Sequence, residues 1–407
     1  MSGMLSPFAL YDGPPPAGVP SLDIDPFSPG FLDNPWPGLR EMSEAGPVVW
    51  LEQYNVAAVA RYEEARSVLS NWQAFSSARG VGMEDFVRHG RFRLPSLILE
   101  ADPPEHSKAR GVLSRVLSPP VLKGLRAGFE EKAETLIRRL VAQRRFDAIG
   151  ELAEAFPLSV FPDAMGLPQE GRDKLLPHAE MLFNSFGPRN ALFEQSVHQA
   201  SFDWVEHLGQ RETLGPGLGL LIHEAADKAD VSRDDAPKLV RALIQAGLDT
   251  TVHAIGASLY CLARFPDQWD RLRASPELAA SAFNEAIRYE SPVQTFFRTT
   301  IGDQSLSGAQ LHDGDKVLVF LGSANHDPAQ WASPDIYDIG RDTIGHLGFG
   351  AGIHRCVGQL LARMEGEIVL TALARHAKTL KLAGEPVRRI NNTLRGLASL
   401  PVEIEPA

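Results

Sequence analysis

A cysteine framed by glycines is the feature that most restricts what this chain can fold into. Its segment, from His346 to Gly358, reads HLGFGAGIHRCVG. Glycines at alternate positions let the backbone turn tightly and approach a flat or bulky group. Apolar residues recur at helical spacing after Cys356, which predicts that this cysteine lies at a helix N-terminus. The helix dipole and the free N–H groups there favour a thiolate, which can be a metal ligand or a nucleophile.

Three other interpretations of this segment remain open from the residues alone. Cys356 could be a buried packing cysteine beside a glycine-rich turn. The glycines could form a dinucleotide-binding loop, but no apolar strand precedes them and the spacing of the final glycine differs. Cys356 could also be the nucleophile of a hydrolase, with His354 as its base.

Composition limits the class of protein. A formal net charge of −11 argues against nucleic-acid binding, which requires a basic face. No apolar stretch approaches the roughly 20 residues of a membrane span, and the first residues lack the pattern of a signal peptide. With only Cys356 and Cys261, a disulfide scaffold is excluded. We therefore expect a cytoplasmic protein with no nucleic-acid and no membrane partner.

Periodicity predicts a mainly α chain with a minor β part. Two short strands are expected between Val48 and Val59, and strand-like segments recur at 296–300 and 316–320. Helices are expected at 62–71, 106–116 and 119–143, and the longest at about 234–264, where apolar residues on most sides predict a central, buried position. Residues 1–20, rich in proline and glycine, are expected to form an irregular arm.

The run from Phe349 to Gly358 resembles the haem-binding signature of the cytochrome P450 family, FGxGxHxCxG, at every specified position. The resemblance implies the P450 fold, with haem between the long central helix and the cysteine loop. It also implies that residues 21–407 form a single catalytic domain. Cys356 would be the axial ligand of the iron of haem b, and Phe349, Gly350 and Gly358 would contact the cofactor.

On the predicted long helix, the residues from Ala246 to Thr251 resemble the oxygen-activation motif of the family. Reduction of O2 requires two protons, which the hydroxyl of Thr250 can pass on and Asp249 can relay from water. Gly247 is expected to leave room for O2. The alternative is that Thr250 bonds its own helix and that Asp249 lies on a solvated face.

Glu285 and Arg288 form an ExxR pair on a predicted helix at 281–289, where residues three apart share a face. In isolation such a pair is usually a surface salt bridge. Arg341 lies in the stretch PDIYDIGR, which resembles the family's meander. The resemblance implies a buried, structural network of Glu285, Arg288 and Arg341 that shapes the proximal side of the haem.

Further resemblance concerns the haem carboxylates. The segment from Asp102 to Arg110 resembles another family segment, and it places His106 and Arg110 four residues apart on one helix face. Both cationic groups could bind haem propionates. Arg298 and His354 match further propionate-binding positions of bacterial members.

The loop from Val87 to Leu99 carries three arginines and a histidine within six residues, which is unusual in an acidic chain. It is either a solvated basic loop or a binding site for an anionic substrate, since arginine binds carboxylates bidentately. Residues 93–102, 161–167, 183–187, 291–300 and 391–396 resemble the bacterial P450 subfamily that oxidises para-substituted benzoic acids.

This second resemblance implies a set of substrate contacts. Arg93 and Ser96 would bind the carboxylate, and apolar residues would hold the ring with its para substituent over the iron. The full set is Arg93, Ser96, Leu99, Phe183, Phe186, Arg241, Gln245, Ala246, Val293 and Phe296. The chain departs from the subfamily in three places: Ala242 and Gln245 replace small hydroxyl residues, and Leu94 replaces a proline.

The implied activity is that of a haem-thiolate monooxygenase. It would use O2 to hydroxylate or O-demethylate a small aromatic acid such as 4-methoxybenzoate. Electrons from NAD(P)H would arrive through a separate ferredoxin and ferredoxin reductase. The alternatives are a P450 monooxygenase that acts on another aromatic or hydrophobic small molecule, and a non-catalytic haem-binding sensor.

Overall fold

The computed structural model describes residues 14–91 and 93–407, and helices predominate in it. An irregular arm is predicted at residues 1–20, and its residues 1–13 lie outside the described residues. The helices are α1 Pro29–Asp33, α2 Trp36–Ala45, α3 Tyr62–Ser70, α4 Glu105–Val116, α5 Pro119–Gln143, α6 Ala155–Met165, α7 Leu175–Asn184, α8 Ala191–Gln199, α9 Phe202–Leu208, α10 Leu218–Asp227, α11 Ala236–Gly247, α12 Asp249–Arg264, α13 Pro266–Ala274, α14 Ala279–Glu290, α15 Leu321–Ala324 and α16 Gln359–His376.

The strands confirm the predicted minor β part. They are β1 Ser21–Leu22, β2 Val49–Leu51, β3 Val56–Val59, β4 Phe75–Ser76, β5 Arg145–Asp147, β6 Thr295–Thr300, β7 Gln304–Leu306, β8 Ala309–Leu311, β9 Lys316–Phe320, β10 Ala377–Leu382, β11 Val387–Ile390, β12 Arg395–Ser399 and β13 Pro401–Pro406. The largest sheet has the order β1-β2-β3-β9-β6-β4. Its hairpin β2–β3 is the pair of short strands around a turn that is predicted between Val48 and Val59.

Strand β6 is important for the site because of its register. It pairs antiparallel with β9, with Phe296 opposite Val319 and Arg298 opposite Val317. Side chains alternate between the two faces of a strand. Phe296 and Arg298 consequently share one face, while Phe297 between them is 1 % exposed and packs into an apolar core.

Proline and apolar spacing account for the helical part. Helix α5 begins at Pro119, where a missing N–H costs nothing, and buries one stripe that includes Phe129, Ala133 and Ile137. Helix α16 packs against α5 and α14, and α12 is buried on most sides. Within the described ranges, no helix is both long and apolar enough to cross a membrane.

The predicted long helix at 234–264 is divided in the structure. Helix α11 ends at Gly247 and α12 begins at Asp249, with Leu248 at φ −95° and ψ −64° between them. Two hydroxyls explain the interruption: Thr250 Oγ1 donates to the Ala246 carbonyl and Thr251 Oγ1 to the Gly247 carbonyl. Such bonds compete with the backbone ladder and bend helices. The prediction of one continuous helix was wrong.

Gly247, at the end of α11, packs closely against α6. A Cβ at this position would lie 2.7 Å from two ring carbons of Phe161, so the absent side chain makes room for that ring. Gly247 and Phe161 both line the cavity of the site, and the expectation that this glycine leaves room for O2 stays a prediction.

Candidate active site

A large cavity lies between the α11–α12 segment and the cysteine loop, and about 1660 Å³ of it, including space open to solvent, is not filled by protein atoms. Cys356, Thr250 and Arg93 all contribute to its lining. Its walls are mainly apolar, as expected for a site that binds a small organic molecule and a flat cofactor. The distant motifs of the sequence thus meet at one place.

The cysteine loop is held by backbone geometry. Gly350 and Gly352 have φ of +70° and +65°, which side chains rarely adopt. A Cβ on Gly352 would lie 2.6 Å from the Leu69 carbonyl oxygen. The Cys356 N–H donates to the Phe349 carbonyl at 2.8 Å. These constraints place the Cys356 side chain in the cavity wall.

The ionisation expected of Cys356 needs a correction. Helix α16 begins three residues later, at Gln359. Burial raises the pKa of the Cys356 thiol, although the N–H groups of Gly358 and Gln359 and the charge of Arg110 lower it. Burial therefore outweighs the effect of the helix terminus. A thiolate at this place needs a cation on its sulfur, which favours a metal ligand over a free nucleophile.

Two of the groups that could hold haem carboxylates are imidazoles with an unsatisfied ring nitrogen. Among the described residues none forms a hydrogen bond with the buried His106 Nε2 or His354 Nε2, although Asp102 Oδ1 lies 3.8 Å from the latter, and the two rings lie 4.5 Å apart. The buried Arg298 guanidinium donates to the carbonyl of Phe297. Burial lowers the pKa of Arg298 to about 10, so the group stays charged at neutral pH. Unpartnered buried donors and a buried cation fit two propionates.

Of the four residues predicted to bind propionates, the cavity lining includes Arg110, Arg298 and His354. His106 does not belong to this lining, and its ring contacts the His354 ring with centroids 4.5 Å apart. Arg110 also donates to the carbonyl of Arg355, next to Cys356, and this bond ties α4 to the cysteine loop. Phe349, Gly350 and Gly358 line the same cavity.

The three-residue network predicted from ExxR is present and buried. Arg288 donates from Nε and Nη2 to the two oxygens of Glu285 at 2.8 and 2.9 Å, and neither side chain is exposed. Arg341 Nε donates to Glu285 Oε1 at 3.1 Å. Arg288 also donates to the Asn325 carbonyl. The network thus links α14 to the meander that leads to the cysteine loop.

The structure separates the two residues of the oxygen-activation motif. Thr250 lines the cavity, and its hydroxyl donates to the Ala246 carbonyl at 2.7 Å, as the structural alternative predicts. Its oxygen can still accept a hydrogen bond from the cavity side. Asp249 does not line the cavity. It is 2 % exposed, so the expectation that an unused Asp249 would lie on a solvated face was wrong.

Asp249 has an unusual environment because its carboxylate is buried. Among the described residues none forms a hydrogen bond with its Oδ1, which lies 3.3 Å from His253 Nε2, one helical turn further on. Burial raises the pKa of the Asp249 carboxyl to about 7, an effect that Arg389 opposes and Glu154 reinforces. A carboxyl that titrates near neutrality can both give and take a proton at working pH.

At the substrate end, the cavity is walled by nine of the ten residues that the second resemblance names. They are Arg93, Ser96, Leu99, Phe183, Phe186, Gln245, Ala246, Val293 and Phe296. The rings of Phe183 and Phe186 meet edge to face at 5.6 Å, and Phe186 lies 6.0 Å from Phe296. Arg241 is not in the lining, because its guanidinium donates to Glu206 and to the Pro95 carbonyl.

Sequence reasoning missed a role for Glu100. Its carboxylate accepts two hydrogen bonds from Arg93, at 2.7 and 2.5 Å, and one from the Ser96 N–H at 3.0 Å. The Glu100 side chain is fully buried. An acidic residue directly after the apolar run LPSLIL was the available signal, since buried carboxylates require a partner.

Taken together, a cysteine of a glycine-shaped loop in the cavity wall, polar groups suited to two carboxylates and a mainly apolar cavity define a haem-thiolate site. The sequence profile of the family Cytochrome P450 matches residues 277–406. "Cytochrome p450 CYP199A2" of Rhodopseudomonas palustris is 55 % identical over 96 % of each chain. The "Beta-dihydromenaquinone-9 omega-hydroxylase" of Mycobacterium tuberculosis is 30 % identical over 94 % of this chain and 79 % of its own.

Solved structures agree with these relatives. Cytochrome P450 CYP109Q5 from Chondromyces apiculatus superposes with a TM-score of 0.80 at 28 % identity, covering 95 % of this chain and 99 % of its own. The chain belongs to the cytochrome P450 family. It has the P450 fold, its cofactor is haem b and its class of activity is monooxygenation.

Proposed function

We propose that this P450 oxidises a small aromatic carboxylic acid, by O-demethylation or hydroxylation of a para substituent, with 4-methoxybenzoate as the representative substrate. The observation that carries the proposal is the position of Arg93 in a cavity that also contains Cys356 and is otherwise mainly apolar. Arginine is suited to a carboxylate. The 55 % identity to CYP199A2 supports a shared pocket design.

In this reaction the residues of the site have separate tasks. Arg93 and the Ser96 hydroxyl bind the carboxylate, and the Phe183, Phe186 and Phe296 rings hold the aromatic ring. Cys356 holds the haem iron, and the bound haem supplies the activation of O2. The Thr250 hydroxyl passes protons to the oxygen site.

Asp249 resupplies those protons from the protein side, which a pKa of about 7 allows. For a methoxy substrate, one O2 molecule, two electrons and two protons yield a hemiacetal and one water, with one oxygen atom in each product. The hemiacetal then loses formaldehyde and leaves a phenol, so atoms and electrons balance. His106, Arg110, Arg298 and His354 orient the cofactor through its carboxylates.

The electrons come, in this proposal, from NAD(P)H through a ferredoxin reductase and a separate ferredoxin, in the cytoplasm. Support comes from the basic surface next to Cys356. Arg355 is exposed, and so is Lys108 on α4, the helix that Arg110 ties to the cysteine loop. An acidic electron carrier would be attracted to such a surface.

Two experiments test the proposal in sequence. First, the CO difference spectrum of the reduced protein should show the thiolate-type Soret band. Cys356→Ser should abolish that band, while Cys261→Ser, a buried cysteine outside the cavity, should keep it. A histidine-type band in the wild type would contradict thiolate ligation.

Second, the wild type reconstituted with ferredoxin and reductase should release formaldehyde from 4-methoxybenzoate. Turnover of neutral hydrophobic substrates alone would instead favour a P450 of different specificity. Absence of any turnover, with a normal CO spectrum and tight binding of the acid, would favour the haem-binding sensor.

A further inference from the structure

Gln245, near the end of α11, places a primary amide in the wall of the cavity. The resembling subfamily has small hydroxyl residues at the positions of Ala242 and Gln245. Ala242 contributes no polar group, and Arg241 is bound elsewhere. Gln245 is thus a polar side chain of this pocket that the carboxylate-binding role of Arg93 does not explain.

One side of the Gln245 amide is held by the protein. Its Nε2 lies 3.0 Å from Nε2 of His178, a residue of α7 that is 2 % exposed. The His178 ring also contacts the Phe202 ring edge to face, with centroids 5.5 Å apart. Burial lowers the pKa of His178 to about 4, with a smaller effect of Arg241. The neutral ring can therefore accept a hydrogen bond from the amide N–H.

The other side of the amide is available to a ligand. Among the described residues none donates to Oε1 of Gln245, and this oxygen is absent from the fully buried unpartnered atoms. It is therefore reachable from the cavity that Gln245 lines. A fixed amide with a free carbonyl oxygen selects a hydrogen-bond donor, and it repels a carboxylate oxygen.

We propose that Gln245 is a specificity-determining residue that accepts a hydrogen bond from a ring hydroxyl of the substrate, so that the preferred substrate is a hydroxylated aromatic acid. The proposal rests on the aromatic-acid function proposed above, and it adds a second polar contact to that of Arg93. His178 acts as a positioning residue, because it holds the amide nitrogen away from the substrate. A site built to bond a hydroxyl disfavours the analogue that lacks it.

The test compares three acids by spectral titration of the haem-loaded protein: 4-methoxybenzoate and its 2-hydroxy and 3-hydroxy derivatives. The wild type should bind one hydroxylated acid about 3- to 10-fold more tightly than the parent, the range of one neutral hydrogen bond. Gln245→Leu should abolish this preference, because leucine cannot accept a hydrogen bond.

His178→Phe leaves Gln245 in place but removes its partner, and it should reduce the preference without abolishing it. The CO spectrum of each variant verifies that the site is intact. A wild type without preference, or a preference that survives in Gln245→Leu, would overturn the inference while the aromatic-acid function stands. If the wild type binds none of the three acids, the proposed function itself fails, and the inference fails with it.

Discussion

Arg93 and Glu100 form a bidentate ion pair in which the glutamate is fully buried and the arginine side chain is 10 % exposed. The pair lies in the wall of the cavity, because Arg93 is one of its lining residues. The Arg93 guanidinium also lies 5.3 Å from the centre of the Phe186 ring. Glu100 therefore fixes the orientation of the Arg93 guanidinium and partly compensates its charge. Substrate selection by Arg93 then depends mainly on the geometry of its hydrogen bonds.

Arg93→Ala should weaken binding of 4-methoxybenzoate roughly 10- to 100-fold, the value of a hydrogen bond to a charged group. The neutral 4-methoxybenzamide should lose far less. Because Glu100 would remain buried without its partner, the double variant Arg93→Ala/Glu100→Gln should recover folding stability but not acid binding. Arg91→Ala, which changes an exposed arginine of the same loop, is the control. Unchanged acid affinity in a spectral titration of Arg93→Ala would refute the carboxylate site.

Thr250→Ala should lower the rate of product formation roughly 100-fold, a typical effect of losing a proton-transfer group. NADH consumption should continue, with peroxide as the product. The matched control is Thr251→Ala: its hydroxyl makes the same type of bond, to the Gly247 carbonyl at 2.9 Å. Product and peroxide are measured per NADH consumed. Equal effects of the two variants would mean that the hydroxyls serve only to bend the helix.

Asp249→Asn should change the pH dependence of stability. Burial raises the folded-state pKa of Asp249 from 3.8 to about 7, so ionisation is disfavoured in the folded protein. Its contribution to the free energy of unfolding is present below about pH 4 and is lost as the pH rises to about 7. The variant should therefore gain about 2–3 kcal/mol relative to the wild type between pH 5 and pH 8.

Urea denaturation of both proteins at each pH measures this gain. Asp173→Asn, at an exposed position, should run parallel to the wild type. Parallel curves for Asp249→Asn as well would show that Asp249 has an ordinary pKa in the folded protein.

Glu285→Gln should destabilise the fold by about 3–5 kcal/mol, because it leaves the buried charge of Arg288 without a carboxylate. Arg271→Ala breaks an exposed pair with Asp338 of similar length, 2.6 Å, and should cost less than about 1 kcal/mol. Thermal melts and the haem content of the purified proteins provide the measurement. A cost for Glu285→Gln as small as that of Arg271→Ala would contradict a structural role for the network.

Elements whose residues interact locally were predictable from the sequence. Helix α5 has the predicted bounds because Pro119 starts it and its apolar stripe continues to Gln143. The hairpin β2–β3 follows from two short apolar runs around a turn. The break between α11 and α12 at Leu248 was not predicted from apolar periodicity. It depends on two hydroxyls that donate to carbonyls of their own helix.

The candidate site was also predictable from the sequence only in part. Motifs with fixed spacing identified Cys356, the ExxR pair and the threonine. The contact between His178 and Gln245 depends on which helices the folded chain brings together, and no spacing encodes it. His253 follows Asp249 by four residues on one helix, so its proximity was predictable, whereas the burial of both side chains was not. The upward shift of the Cys356 pKa likewise results from burial, which outweighs the effect of the helix terminus.

Strand β6 carries Phe296, a wall of the substrate end, and Arg298, a candidate haem contact, two residues apart on one face. A length change that shifted β6 by one residue against β9 would rotate both out of the cavity and bring Phe297 in. Cofactor retention and substrate fit would then fail in the same step. Evolution of new specificity is consequently confined at this strand to exchanges of side chain, whereas length changes are left to loops such as the one around Arg93.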